Sequence, residues 1–188
     1  MFVSVVLAFL ALGMVLPLLP RFIERELGGS VFAVGVVIGS YAITGIAGRV
    51  LAGRVADQRG PKIVLVFGTA AMAAAGFLLL LPFGIAGLVF ARLVVGFGDA
   101  CVYVASASWA VDVAPVERRG QVLGIFGLAI WVGLSGGAPL GDLIYTLAGY
   151  EVSWLVAGVL PLLGAGVALA MREPARHSEV PEVRTWFP

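Results

Sequence analysis

Residues 31–52 and 63–81 form two apolar runs separated only by Gly53-Arg54-Val55-Ala56-Asp57-Gln58-Arg59-Gly60-Pro61-Lys62. The hydrocarbon core of a bilayer is about 30 Å thick and takes roughly 20 apolar residues per helix, so each run is long enough to cross it. A link this short makes the two helices antiparallel and leaves its charges at the membrane surface. Gly53 and Gly60 permit close approach and a left-handed exit. Asp57, four residues after Gly53, shares its face while helix continues. Arg54, Arg59 and Lys62 mark the cytoplasmic side.

The remainder of the chain repeats this alternation. With 61% hydrophobic and 12% charged residues over 188 positions, it has the wrong surface for water. Runs bounded by Pro, Gly and charge predict helices at about 2–19, 31–52, 63–81, 86–108, 121–144 and 153–171. The first is read as an uncleaved helix ending at Pro17 and Pro20, since no Lys or Arg precedes Arg21 and no cleavage site follows. Arg54, Arg59, Lys62, Arg118, Arg119, Arg172, Arg176 and Arg184 fall on one side, against Arg21 and Arg25 on the other. Both termini are therefore expected in the cytoplasm of a multi-pass inner-membrane protein. The basic residues lie in loops between spans, which argues against a nucleic-acid partner. Cys101 sits alone in an apolar run and is read as a packing residue.

Twenty-six glycines suit helices packed in lipid, where small residues let backbones touch. Gly35/Gly39 and Gly137/Gly141 have the G-x-x-x-G spacing; tight packing within the chain is the favoured reading, and a dimer face is the alternative. Arg92 and Asp99 are the charges noted inside a span, seven residues apart on one helix face that Tyr103 and Ser106 continue. A charge at that depth costs at least about 2.5–3.5 kcal/mol, so the face must look into the bundle or a wet cavity.

Several of these residues carry a family resemblance. The 53–62 turn resembles the G-x-L-A-D-R-x-G-R-K signature of the major facilitator superfamily, departing at Val55 and Pro61, and Arg49-Val50-Leu51-Ala52 before it matches the usual run into its first glycine. Arg92-Leu93-Val94-Val95-Gly96-Phe97-Gly98 is similar to its R-x-x-x-G-x-G pattern, and Pro115-Val116-Glu117-Arg118-Arg119-Gly120 to its P-x-E-R-R-G connection. Gly124, Gly133, Gly137, Pro139 and Gly141 partly match the fifth-helix pattern of proton-coupled exporters, with Ala138 before the proline and Asp142 where a closing glycine would stand. The resemblance implies an all-α integral membrane fold: a six-transmembrane-helix bundle, built as a 3+3 inverted repeat, forming half of a twelve-helix transporter. Residues 1–171 would be that half. Residues 172–188 would be a cytoplasmic tail or the start of the linker to a second six-helix half, and a fragment of a longer chain is favoured over a working half.

The function so implied is proton-coupled export of a small molecule by alternating access, with protons, lipid and the second half as partners. The turn bearing Gly53, Arg54, Asp57, Arg59, Gly60 and Lys62 would latch one half against the other. Asp99 would carry the proton, because a desolvated carboxyl group beside a cation, here Arg92, can be tuned to titrate near neutral pH. A static polar network is the alternative for that pair. Tyr41, Tyr103 and Trp131 are candidates for the substrate path, while Trp109 and Trp154 read as interfacial anchors. A six-helix channel or structural oligomer is the rival reading. Gly133-Leu134-Ser135-Gly136 also matches the G-x-S-G of rhomboid proteases, but the only histidine, His177, lies beyond the last span, far from Ser135. No metal-ligand spacing or phosphate-cradling loop is present, so neither enzyme activity nor a cofactor is expected.

Overall fold

The computed structural model describes residues 1–171, nearly all of them helical. The elements are α1 (Phe2–Arg25), α2 (Val31–Arg59), α3 (Pro61–Leu78), α4 (Gly84–Val113), a 3₁₀ turn (Val116–Arg118) and α5 (Arg119–Ala170). All five α-helices are long and apolar enough to cross a membrane. The expected tail, with Arg172, Arg176, His177 and Arg184, lies outside the described residues.

α5 has 52 residues, which at 1.5 Å each would be about 78 Å, more than twice a bilayer core. Gly149, at φ 77° and ψ −173°, divides it into two helical segments within the expected 145–152 connection. That backbone conformation is one that glycine adopts without steric cost.

Two expected boundaries move. The first helix does not end at Pro17 and Pro20; both lie inside α1, which continues to Arg25. Proline removes one backbone donor, but in a packed membrane bundle neighbouring groups offset that loss and the helix continues. The turn between α2 and α3 is not ten residues long. α2 runs on through Arg59, and Gly60 alone makes the turn at φ 95°, with Pro61 opening α3. Proline at the first helical position suits a site whose N–H has no intrahelical partner.

α1 packs chiefly along α5 and α2 chiefly along α4, while α3 contacts both α4 and α5. The α1–α5 seam is made of glycine. A Cβ added at Gly133 would stand 2.8 Å from the Val6 carbonyl oxygen, and one at Gly141 2.6 Å from that of Met14; Gly13 abuts the Leu134 backbone and Gly137 that of Leu10. Gly35 and Gly39 behave differently. A Cβ at either would meet nothing within 4 Å, so the packing expected of this pair within the chain is absent among the described residues. α2 is the least enclosed helix, and these glycines lie on its open side.

One end of the bundle gathers Met1, Lys62 and the end of α5. The Met1 amine donates to Met171 Sδ at 2.7 Å, and Lys62 Nζ donates to the carbonyls of Leu169, at 2.9 Å, and Met171. At the opposite end Arg21 pairs with Asp142 at 2.5 Å, and Phe22, Tyr150 and Trp154 stack edge-on or in parallel. Trp109 and Trp154 are each 2% exposed, so they are core residues and not interfacial anchors.

Candidate functional site

The charged residues of the interior lie along the α2–α4 seam. Gly96 of α4 lets that helix come against α2 at the Tyr41 carbonyl and the Thr44 hydroxyl, where any side chain would clash. Thr44 Oγ1 fixes the crossing by donating to the Leu93 carbonyl at 2.7 Å. This approach places Tyr41 against Asp99, and the phenol donates to Asp99 Oδ2 at 2.6 Å. The other face of the arrangement belongs to Arg92, whose Cζ lies 4.8 Å from the centre of the Tyr41 ring. Tyr41 therefore touches both charges, one through its hydroxyl and one through its π-face.

Arg92 and Asp99 are each 3% exposed. The direct pairing of the two that sequence spacing allowed does not form: among the described residues the ion pair within 4 Å is Arg21 with Asp142. Nε and Nη1 of Arg92 and Oδ1 of Asp99 have no hydrogen-bond partner among those residues. Arg92 borders a cavity of about 20 Å³ shared with Ala11 and Val15 of α1 and Met72 and Gly76 of α3. That is room for one water molecule beside a guanidinium, which is the kind of site where water is retained.

A third charge completes the group. Arg49 of α2 is exposed, with its Cζ 5.3 Å from the ring centre of Tyr103 on α4; Tyr103 meets Phe126 of α5 edge-on at 5.5 Å. Asp99 lies within the electrostatic reach of both Arg49 and Arg92. Sequence reading took Arg49 only as part of the run into Gly53 and missed it as a charge within an apolar span. The available signal was an arginine inside an apolar run, ten residues short of the helix end at Arg59.

A buried acid–arginine–tyrosine group in a bundle of long apolar helices is the setting in which the comparisons with known proteins acquire meaning. The sequence model of the Major Facilitator Superfamily matches residues 1–188. The chain belongs to that superfamily. It is 29% identical over 188 residues to an uncharacterized MFS-type transporter of Salmonella typhimurium, covering 95% of this chain and 48% of that protein. Uncharacterized MFS-type transporters of Burkholderia mallei and Burkholderia pseudomallei are each 36% identical over 143 residues, covering 72% of this chain and 35% of theirs. The chain thus spans about half the length, or less, of the curated relatives it matches.

As a superfamily member, this chain places the other expected site residues at three separate locations. Gly53, Arg54, Asp57 and Arg59 lie in the last turns of α2; Gly53 meets nothing within 4 Å, and the three charged side chains are exposed. Lys62 instead reaches the end of α5, which ties the turn to that helix terminus. Gly133, Gly137 and Gly141 form the α1–α5 seam, whereas Gly124 is open and Pro139 exposed, so the fifth-helix pattern is partly packing and partly free surface. Trp131, 65% exposed, makes no ring contact among the described residues, unlike the other two path candidates, Tyr41 and Tyr103.

Proposed function

We propose that this chain is one six-span half of a proton-coupled secondary transporter that moves a small molecule by alternating access, with Asp99 carrying the proton. The observation behind this reading is Asp99 itself, mid-way along α4, almost fully enclosed, with one oxygen bonded to Tyr41 and the other without a protein partner. Burying an ionisable group this deep in a membrane bundle is costly and usually accompanies transport. Tyr41 bonds Asp99 directly, and Arg92 lies over the Tyr41 ring, so a change of charge at Asp99 reaches Arg92 through that phenol.

Taking α5 as two spans divided at Gly149 gives six. The reciprocal packing of α1 on α5 and α2 on α4 is what two inverted three-helix units would produce, and the length of the relatives fits a second half. The open face of α2 is where such a half could lie. The convergence of Met1, Lys62 and the end of α5 supports one shared side for the 53–62 turn and these ends, and the basic residues make it the cytoplasmic side. A single cysteine introduced at Gln58 in a Cys101→Ser background is expected to resist an impermeant external thiol reagent; labelling from outside would reverse this orientation. The export direction rests on the partial fifth-helix resemblance, three of whose glycines have a packing reason of their own.

The central test is flux in the full-length protein reconstituted in vesicles. Asp99→Asn keeps size and hydrogen bonding but cannot titrate, so it should retain substrate exchange and lose acceleration by a proton gradient. Undiminished proton-driven flux in a well-folded Asp99→Asn protein removes Asp99 from the mechanism.

A further inference from the structure

We propose that Arg49 receives the acidic group of the transported molecule and that the substrate is an organic anion; this inference rests on the transporter reading above. Between the helix ends, the α2–α4 seam holds Arg49, Arg92 and Asp99, two cations and one anion, a formal balance of 2 − 1 = +1. One oxygen of that acid accepts from the Tyr41 phenol at 2.6 Å. A cationic substrate would meet two guanidiniums against one carboxylate, whereas an anionic one would complete the charge balance.

The two arginines are not equivalent. Arg92 is enclosed behind Tyr41, while Arg49 is exposed on a helix face that it shares with Ile46. Three residues, about 4.5 Å, separate it from the end of the apolar run at Ala52. From there the guanidinium reaches toward the membrane surface, so it meets water or protein and not acyl chains. Arg49 has no hydrogen bond or ion pair among the described residues. Its guanidinium lies over Tyr103, an arrangement that holds the fork in place by its face and leaves its N–H edge available. A planar acid group matches that edge through two parallel charge-assisted hydrogen bonds. Tyr103 beneath it, with Phe126 against Tyr103, favours an acid with an apolar or aromatic body.

The test uses full-length protein in lipid nanodiscs and three probes with one ring and different charge: benzoate, benzyl alcohol and benzylammonium, with binding measured calorimetrically. Benzoate should bind, and the other two at least about tenfold more weakly, the scale of a lost charge-assisted hydrogen bond. Arg49→Gln should weaken benzoate by a similar factor with an unchanged melting temperature. Tyr103→Leu, which keeps the charge and removes the platform, should weaken it by a smaller factor and provides the test if Arg49→Gln does not fold. Preference for benzylammonium, no binding of any probe, or full benzoate affinity in both variants overturns the proposal; the last result would mean that Arg49 pairs with an acid elsewhere. Failure here is separable from failure of the transport reading. Proton-driven flux of a neutral or cationic probe sinks only the anion assignment, and benzoate binding without proton-driven flux sinks only the role of Asp99.

Discussion

The α1–α5 and α2–α4 seams are the two most extensive between helices, yet they are built from opposite materials. Along α1–α5, Gly13, Gly133, Gly137 and Gly141 set backbone against backbone, and α1 carries no charge before Arg21. Along α2–α4, glycine is confined to the crossing, at Gly45, Gly48 and Gly96, and the flanking contacts are polar: Thr44 on the Leu93 carbonyl, Tyr41 on Asp99, Arg92 over Tyr41 and Arg49 over Tyr103. Lipid supplies little hydrophobic drive between helices, so a seam must hold by close contact or by hydrogen bonds that hydrocarbon cannot replace. The first device gives a seam with no titratable group among its glycine contacts. The second gives one whose contacts depend on charge, and that is the seam a proton or an anion can alter.

The sharpest way to break the comparison is to put a side chain where only one seam forbids it. A Cβ at Gly137 would collide with the Leu10 carbonyl and stand 2.8 Å from the Met14 nitrogen, both backbone atoms that cannot rotate aside. Gly137→Val should therefore force α1 from α5, beyond the ordinary overpacking cost of about 1–3 kcal/mol, and abolish the monodisperse peak in fluorescence-detected gel filtration. Gly124→Ala, on the same helix where nothing lies within 4 Å, should leave the peak intact and stability within about 0.5 kcal/mol. A normal profile for Gly137→Val would mean that the seam is not held by backbone contact.

The polar seam should respond more moderately and in function as well as stability. Tyr41→Phe keeps the ring over Arg92 but removes the one hydrogen bond made to Asp99. Leaving a buried acceptor without its donor costs about 1–3 kcal/mol, read as a lower melting temperature of the full-length protein. The same variant should shift the pH dependence of proton-driven flux, because the phenol touches the proposed proton carrier directly. A lower melting temperature with an unchanged flux profile would make the Tyr41–Asp99 contact a structural lock.

Sequence resolved the two seams unequally, for physical reasons. Apolar length located the five long helices, reading α5 as two spans, since the bilayer sets a minimum that no single residue can alter. It placed the helix ends poorly: α2 continues seven residues past its apolar run, through charges that water accepts at the helix end, and α1 ignores Pro17 and Pro20. Arg92 and Asp99 were visible as charges in an apolar setting, but not the Tyr41 ring that contacts both. That contact depends on two helices crossing at Gly96, a distance between elements that no local pattern encodes. The G-x-x-x-G spacing had the opposite failing: Gly137/Gly141 and Gly35/Gly39 look alike in sequence, and only the first pair meets a helix in the described chain. Arg49 was legible as a charge and was passed over because its place beside Gly53 already had a meaning.

The smallest effect is expected where the glycine seam ends and charge first appears on it. Arg21 and Asp142 join α1 to α5 at 2.5 Å, but their side chains are 45% and 53% exposed. Water screens such a pair, and holding two side chains in one geometry costs entropy, so exposed pairs contribute about 0–1 kcal/mol. Arg21→Gln and Asp142→Asn should each lower the melting temperature slightly, the double variant should match either single one, and added salt should erase the difference. If instead one of these variants loses as much stability as Gly137→Val, the ion pair and not the glycines would be what closes α1 on α5, and the division into a dry seam and a charged seam would fail at its outer end.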